Sequence, residues 1–171
     1  MRSMLVATVW LGLALTPAGW TQYVTPGVAL TGSTPGTNMR NAAALVHNSA
    51  TIAIRAADDW GRRAGSAGYN AQQLNLDFSN SLGAFQTLRG QFNGLGSMAL
   101  QTGRARAANV VAELGAGLDV IAELFTFMQA QDNAGTLDRA TIARTCRALE
   151  DALREWDREL KRNGSRLEVA Y

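Results

Sequence analysis

Apolar residues recur at helical spacing through most of the chain, and the pattern is clearest near the C-terminal end. There the apolar positions alternate by four and three residues, at Ile142, Cys146, Leu149, Leu153, Trp156 and Leu160. This spacing places the side chains on one stripe of an α-helix. Thr136 or Asp138 can cap the start of the helix, and Asn163-Gly164 can end it. We therefore predict a C-terminal helix with one buried face.

A first helix is predicted from about residue 38 to Ala64. Thr37 or Asn38 can cap its start, because a short polar side chain accepts hydrogen bonds from the first N–H groups of a helix. Glycines follow at positions 61, 65 and 68 and favour its end. The apolar residues expected on its buried face are Met39, Ala42, Val46, Ile52, Ala53, Ala56 and Trp60.

A second helix is predicted to begin after Asn70, where Asn-Ala-Gln-Gln resembles a capping box with Gln73 at its third helical position. Its apolar positions are Phe78, Leu82, Phe85, Leu88, Phe92 and Leu95. Both Asn93-Gly94 and Thr102-Gly103 can end a helix. We favour the later stop.

The third helix has an apolar face wide enough to contact two neighbours, formed by Val110, Val111, Leu114, Leu118, Ile121, Leu124, Phe125 and Met128. It is expected to end near residues 131–133. Four helices joined by short links most simply form an all-α, up-down-up-down antiparallel four-helix bundle. We predict that residues 38–164 form this bundle domain and that residues 165–171 are a C-terminal tail.

The N-terminal pattern predicts export. Arg2 is followed by an uncharged apolar run over residues 4–15, too short for a spanning helix of about 20 residues and typical of a signal peptide. Small residues favour cleavage after Ala18, so residues 1–18 are assigned as a signal peptide and the Gly/Thr/Pro-rich residues 19–37 as a flexible leader. The alternative is an uncleaved membrane anchor. Both the periplasm and the extracellular medium remain open as destinations.

Composition narrows the classes of partner. The chain has 171 residues, of which 47% are hydrophobic, and this suits one domain with its own core. Its net charge of +2 is small and the basic residues form no stripe, so we expect no nucleic-acid partner. Cys146 is the single cysteine and falls on a buried face, which favours a buried apolar role over an intermolecular disulfide.

The candidate chemical groups are sparse. His47 is the only histidine, and the residues four positions away, Ala43 and Thr51, offer no acid or metal ligand. No histidine follows a glutamate by three residues, and no Ser nucleophile motif is present, so we predict a non-enzyme with no metal site. Arg62 and Arg63 lie at the end of the first helix, where an anion or partner site is the alternative to a solvated helix end.

The most informative stretch is the second helix, because it is nearly uncharged. Between residues 70 and 102 only Asp77 and Arg89 carry charge. Neutral amides lose less than charged groups on leaving water, so a face made of them is easier to bury against a partner. The predicted interaction face comprises Gln72, Gln73, Asn80, Gln86, Gln91 and Asn93. An ordinary low-charge surface is the competing interpretation.

The sequence therefore predicts an exported, non-enzymatic helical bundle that acts as a protein-interaction or structural module, with a protein partner or a second copy bound through its second and third helices. Membrane contact is expected only through an uncleaved signal segment. The alternative function is a small-ligand or cofactor carrier in the bundle interior, with haem or a metal as cargo. His47 and the methionines at positions 39, 98 and 128 would be its candidate ligands. The first hypothesis requires no cofactor.

Overall fold

Four α-helices account for the regular structure of the described part of the chain. The computed structural model describes residues 35–66, 68–101, 103, 105–164 and 166–167. The helices are α1 (Pro35–Ala64), α2 (Ala71–Gln101), α3 (Ala105–Asn133) and α4 (Arg139–Arg162). The all-α prediction is confirmed. The predicted signal peptide and the leader up to residue 34 lie outside the described residues.

Each helix packs against two others. α1 contacts α2 and α4, and α3 contacts the same two helices. These contacts are those of a four-helix bundle with its core between the helices. Among the described helices, none combines the length and the apolar character that crossing a membrane requires.

The α2 termini follow the predicted chemistry. The Asn70 N–H donates to Gln73 Oε1 at 3.1 Å, and the Gln73 N–H donates to Asn70 Oδ1 at 3.0 Å, which is a reciprocal capping box. The helix continues to Gln101, and Gly103 follows with a φ of 68°, a left-handed conformation that glycine adopts without strain. The later of the two predicted stops is therefore confirmed.

The ends of α4 are also as predicted. Asp138 is its N-cap, and the side chain accepts the Thr141 N–H at 2.6 Å. Asn163 is its C-cap, with its own N–H bonded to the Glu159 carbonyl. Thr136, the alternative cap, instead donates from its hydroxyl to the Gln131 carbonyl at the end of α3. Beyond α4, Leu167 is fully buried, so part of the predicted C-terminal tail packs on the core.

The predicted start of α1 is wrong by about three residues. The helix begins at Pro35, so Thr37 and Asn38 lie within its first turn and do not precede it. Proline suits a first helical position because the N–H that it lacks would have no partner inside the helix. Residues 35–37, predicted to belong to the leader, are therefore helical. The predicted end at Ala64 is confirmed.

Aromatic rings connect the helices through the core. Trp60 of α1 meets Phe78 of α2 edge to face, and Phe78 meets Phe125 of α3 in the same way. Phe92 of α2 contacts Trp156 of α4 at a centroid distance of 5.5 Å. The six predicted apolar positions of α4 are all buried. Rings that interlock helices in this way each add about 0.5–1.5 kcal/mol beyond their area burial.

The buried face of α1 differs from its prediction. Ile52 is 57% exposed, whereas Ala43, Ala50 and Ala57 are buried. The actual buried stripe is largely alanine, which allows the backbones of neighbouring helices to approach closely. A Cβ added at Gly61 would lie 3.1 Å from Cys146 Cβ on α4. Because alanine fills the closely packed side of α1, Ile52 remains on the exposed surface.

Candidate functional site

The six amide residues of the predicted interaction face are all exposed on α2: Gln72, Gln73, Asn80, Gln86, Gln91 and Asn93. They lie on the side of the helix opposite its buried apolar positions. The same side carries Gly83, Gly90 and Gly94, together with Leu76. We call this surface the α2 outer face. All ten of these residues are exposed in the part of the chain that the structure describes.

Charge is absent from the α2 outer face because the only two charged residues of the helix are held at its borders. Asp77 is buried and pairs with Arg63 of α1 at 2.8 Å. Arg89 lies on the border of α2 that faces α3, where it pairs with Asp119 at 2.5 Å. The surface between these two ion pairs offers only amides, hydroxyls, glycines and apolar groups. Its 31-residue helix thus presents no charge outward along its whole length.

The glycines of this face are not required by packing among the described helices. A Cβ added at Gly83, Gly90 or Gly94 would meet nothing within 4 Å. Glycine in an exposed helix interior costs about 0.5–1 kcal/mol relative to alanine. Gly96, on the other side of α2, is different, because a Cβ there would lie 2.9 Å from Val111 Cγ1 on α3. Packing of the bundle explains Gly96 and leaves the three outer glycines unexplained.

The α1 helix extends this surface with two apolar side chains that the sequence prediction missed. Leu45 and Ile52 are 53% and 57% exposed. They share a helical stripe with Ala56, whose carbonyl accepts the Ser81 hydroxyl of α2 at 3.2 Å. This stripe therefore borders α2. Leu45 and Ile52 form what we call the α1 rim, beside the α2 outer face.

The outer face of α4 provides the opposite surface chemistry. Ion pairs follow one another along it, joining Arg154 to Glu150, Arg158 to Glu155 and Arg162 to Glu159. Such exposed pairs add little to stability, typically about 0–1 kcal/mol each. They nevertheless keep α4 strongly hydrated, and burying it would require removing water from many charges.

The structure gives His47 a partner that its own helix could not supply. Its Nδ1 lies 2.6 Å from Asp157 Oδ1 on α4, and Lys161 Nζ lies 2.8 Å from the other oxygen of the same carboxylate. Asp157 is buried and His47 is half-buried. This arrangement joins α1 to α4. The only sequence signal near it was the Asp157 and Lys161 spacing of four, which a single helix can satisfy.

Arg62 and Arg63, the other weak candidates, both pair with carboxylates of this chain. Arg62 contacts Asp58 at 2.9 Å and Asp59 at 2.5 Å, all on α1. Arg63 reaches the buried Asp77 on α2. The two guanidinium groups thus point to different places, one along α1 and one across to α2.

A buried polar cluster lies where α1, the α1–α2 loop and α2 meet, and no spacing pattern predicted it. Trp60 Nε1 donates to the Tyr69 hydroxyl at 2.8 Å, and Arg139 of α4 donates to the Tyr69 carbonyl at 2.9 Å. Burial raises the pKa of Tyr69 despite the opposing effect of the Trp60 bond, and the nearby Asp77 carboxylate adds to the rise. The tyrosine is therefore neutral and anchors the loop.

Cys146 is buried, as predicted. It is 1% exposed, and burial raises the pKa of its thiol to about 12, with a smaller contribution from Asp77. A protonated, inaccessible thiol is a poor nucleophile. Cys146 thus serves as a small apolar residue against α1.

The residues that the carrier hypothesis named differ in burial, since His47 and Met98 are partly exposed. Met39 and Met128 are buried in the core. In the described part of the chain, no three His, Cys, Asp or Glu side chains form a group that could hold a metal ion.

The α2 outer face and the α1 rim together form an uncharged surface of amide, glycine and aliphatic groups. Its amides can donate and accept hydrogen bonds, its glycines permit close backbone approach, and its leucines can be buried. Known proteins provide no further guide, since no family model, no curated protein and no solved structure matches this chain.

Proposed function

We propose that this chain is a non-enzymatic protein-interaction module that binds its partner through the α2 outer face and the α1 rim. The observation that carries the proposal is the absence of charge along the outward side of α2, bounded by the Arg63–Asp77 and Arg89–Asp119 pairs. Interfaces are depleted in charge at their centres, because burying a charge costs more than burying an amide. The charged α4 then faces solvent.

Exposed apolar groups support the same surface. Leu76 and Leu100 of α2 are 57% and 60% exposed, close to the values for the two α1 rim residues. Single exposed leucines are ordinary on protein surfaces. Four large aliphatic side chains beside an uncharged glycine-containing helix resemble the mixture of apolar and amide groups found at the centre of interfaces.

We further propose that the bundle is up-down-up-down and antiparallel. Trp60 near the end of α1 packs on Phe78 near the start of α2, and Ala56 bonds to Ser81. The pairing of Gly96 with Val111, and of Phe85 with Phe125, supports the same relation between α2 and α3. His47 with Asp157, and Gly61 with Cys146, support it between α4 and α1.

We also retain the proposal of export, with cleavage after Ala18 and release to the periplasm or the medium. It rests on the apolar run and small residues of positions 1–18. Edman sequencing of the mature protein from its host should begin at Gly19. An intact N-terminus in the membrane fraction would favour the anchor instead.

Site-specific photo-crosslinking tests the proposed surface. A photo-reactive phenylalanine analogue replaces Gln86 on the α2 outer face, and a matched variant carries it at Asp151, an exposed residue of α4. We expect a discrete crosslinked product, in the native compartment, only from the Gln86 variant. Equal products from both positions, or none from Gln86, would show that this face is not the contact surface.

A further inference from the structure

We propose that the partner is a second copy of this chain, with two α2 helices packed antiparallel about a twofold axis that passes between Gln86 and Thr87. This inference rests on the proposed contact surface and adds the identity of its occupant. In such a dimer the same patch is used twice, so residues equidistant from the axis must fit one another.

The residues of the α2 outer face meet that requirement. The residues at equal distances along the helix on either side of the axis, which share a level in the antiparallel pair, are Gly83 and Gly90, Ser79 and Gly94, Asn80 and Asn93, and Gln72 and Gln101. Small residues face small residues, and amides face amides of the same type. All eight are exposed. These four pairs match in size or residue type, whereas Leu76 falls opposite Ser97 and Gln73 falls opposite Leu100.

Close approach is possible only because the central positions are small. Gly83 and Gly90 lie one turn to either side of the axis, and neither has a neighbour within 4 Å of an added Cβ. Helices usually pack about 8–10 Å apart, with the shortest separations where the contact residues are small. The glycines, unexplained by the isolated bundle, then serve to let the second α2 come near.

The neutrality of the face also suits a self-contact. In a twofold dimer a charge near the axis lies close to its own copy, and such a like-charge contact is destabilising. The amides of this face instead carry both donors and acceptors, so they can form hydrogen bonds across the contact without placing like charges together.

Ile52 of the α1 rim lies at the same level along the bundle as the proposed twofold axis. The hydroxyl of Ser81 bonds to the Ala56 carbonyl, so these two residues lie at the same level of the bundle. Ile52 lies one turn before Ala56. Because α1 and α2 run antiparallel, Ile52 is level with the residues one turn after Ser81. Those residues are near Gln86. Ile52 of each copy would thus lie close to the axis and contact its counterpart, which accounts for a 57% exposed isoleucine at that point.

The available area approaches that of a standard dimer interface if the outward sides of both α1 and α2 are buried. α2 has 31 residues, hence a length of about 46 Å at about 1.5 Å per residue. Two adjacent helices with axes about 10 Å apart present a side about 20 Å wide, or roughly 900 Å². A standard interface buries about 800 Å² per partner.

Sedimentation equilibrium of the mature chain tests the dimer. We expect wild-type protein to be dimeric and Gly90→Arg to raise the dimer dissociation constant by at least about tenfold, since a bulky cation is placed against small residues near the axis. The monomer tolerates this change, because the added side chain enters open space. Ala116→Arg, at an exposed position of α3, is the matched control and should leave the dissociation constant unchanged.

Disulfide crosslinking provides a second readout. Thr87→Cys places a thiol beside the axis, where it should oxidise with its own copy to a covalent dimer under an added oxidant. Thr126→Cys is the control, because Thr126 is also exposed and also bonds the carbonyl four residues earlier, but lies on α3. Cys146 is buried and does not compete.

The outcomes separate this inference from the proposed function. Wild-type protein that stays monomeric at high micromolar concentration overturns the second copy as occupant, while the surface itself is judged by the Gln86 crosslink. A dimer that survives Gly90→Arg, or that crosslinks through Thr126→Cys and not Thr87→Cys, overturns both the antiparallel pairing and the α2 outer face. A dimer lost only in Gly90→Arg supports the inference.

Discussion

The two kinds of glycine on α2 lead to opposite predictions for the same substitution. Gly94 faces open space, whereas a Cβ at Gly96 would lie 2.9 Å from Val111 Cγ1. Val111 is β-branched and sits on α3, so its methyl group has little freedom to move aside. Replacing either glycine by alanine adds one methyl group. The two positions are only two residues apart on the same helix, so they differ mainly in what that methyl group meets.

The two substitutions are expected to change the free energy of unfolding in opposite directions. Gly94→Ala should stabilise the folded chain by about 0.5–1 kcal/mol through reduced backbone entropy and better helix propensity. Gly96→Ala gains the same amount but overpacks the α2–α3 contact, at a cost of about 1–3 kcal/mol. The two variants should therefore differ by about 1–3 kcal/mol in unfolding free energy. For a chain of this size about 1 kcal/mol corresponds to about 2–4 °C in Tm.

Urea denaturation followed by tryptophan fluorescence measures the difference. Both variants and wild type are unfolded at low protein concentration and again after tenfold dilution, so that any contribution of self-association is recognised from its concentration dependence. Gly96→Ala should unfold at the lower urea concentration. If it is as stable as Gly94→Ala, then α2 and α3 do not pack as described, and the distinction between packed and outer glycines fails.

Three further predictions concern the rest of the bundle. Trp156→Phe should cost about 1–3 kcal/mol, measured by urea unfolding, because the Leu114 carbonyl loses the indole N–H that bonds to it at 2.8 Å. Asn70→Ala should lower unfolding free energy by about 1 kcal/mol through loss of the α2 cap, and an unchanged Tm would contradict the capping box. Cys146 should not react with a thiol reagent at pH 8 until the chain unfolds. Because the pKa of the Cys146 thiol is raised to about 12 in the folded state, stability should fall as pH rises from the ordinary thiol value toward that figure, and Cys146→Val should lose this part of the pH dependence.

The fold could be predicted wherever one apolar stripe dominates a helix. All six apolar positions chosen for α4 are buried, because large side chains alternate there with charged ones. The buried face of α1 includes Ala43, Ala50 and Ala57. Alanine is only weakly hydrophobic, so the sequence pattern favoured the larger Ile52 as the buried residue. Close helix packing favours alanine there, and a sequence pattern does not reveal how close the helices come.

The candidate surface was only partly predictable for a related reason. Depletion of charge is a property of composition, so the amides of α2 could be identified from the sequence. The addition of Leu45 depends on which side of α1 borders α2, and the contact between His47 and Asp157 joins residues 110 positions apart. Neither follows from spacing within one helix.

A dilution series monitored by nuclear magnetic resonance tests whether a second copy binds the α2 outer face. Side-chain amide signals of Asn80, Gln86 and Asn93 report on the α2 outer face, while Asn109 and Asn133 report on exposed positions of α3. We expect the α2 amide signals to shift with protein concentration and the α3 signals to stay constant. Constant α2 signals across the series, or shifts centred on α3, would contradict a second copy bound at this face.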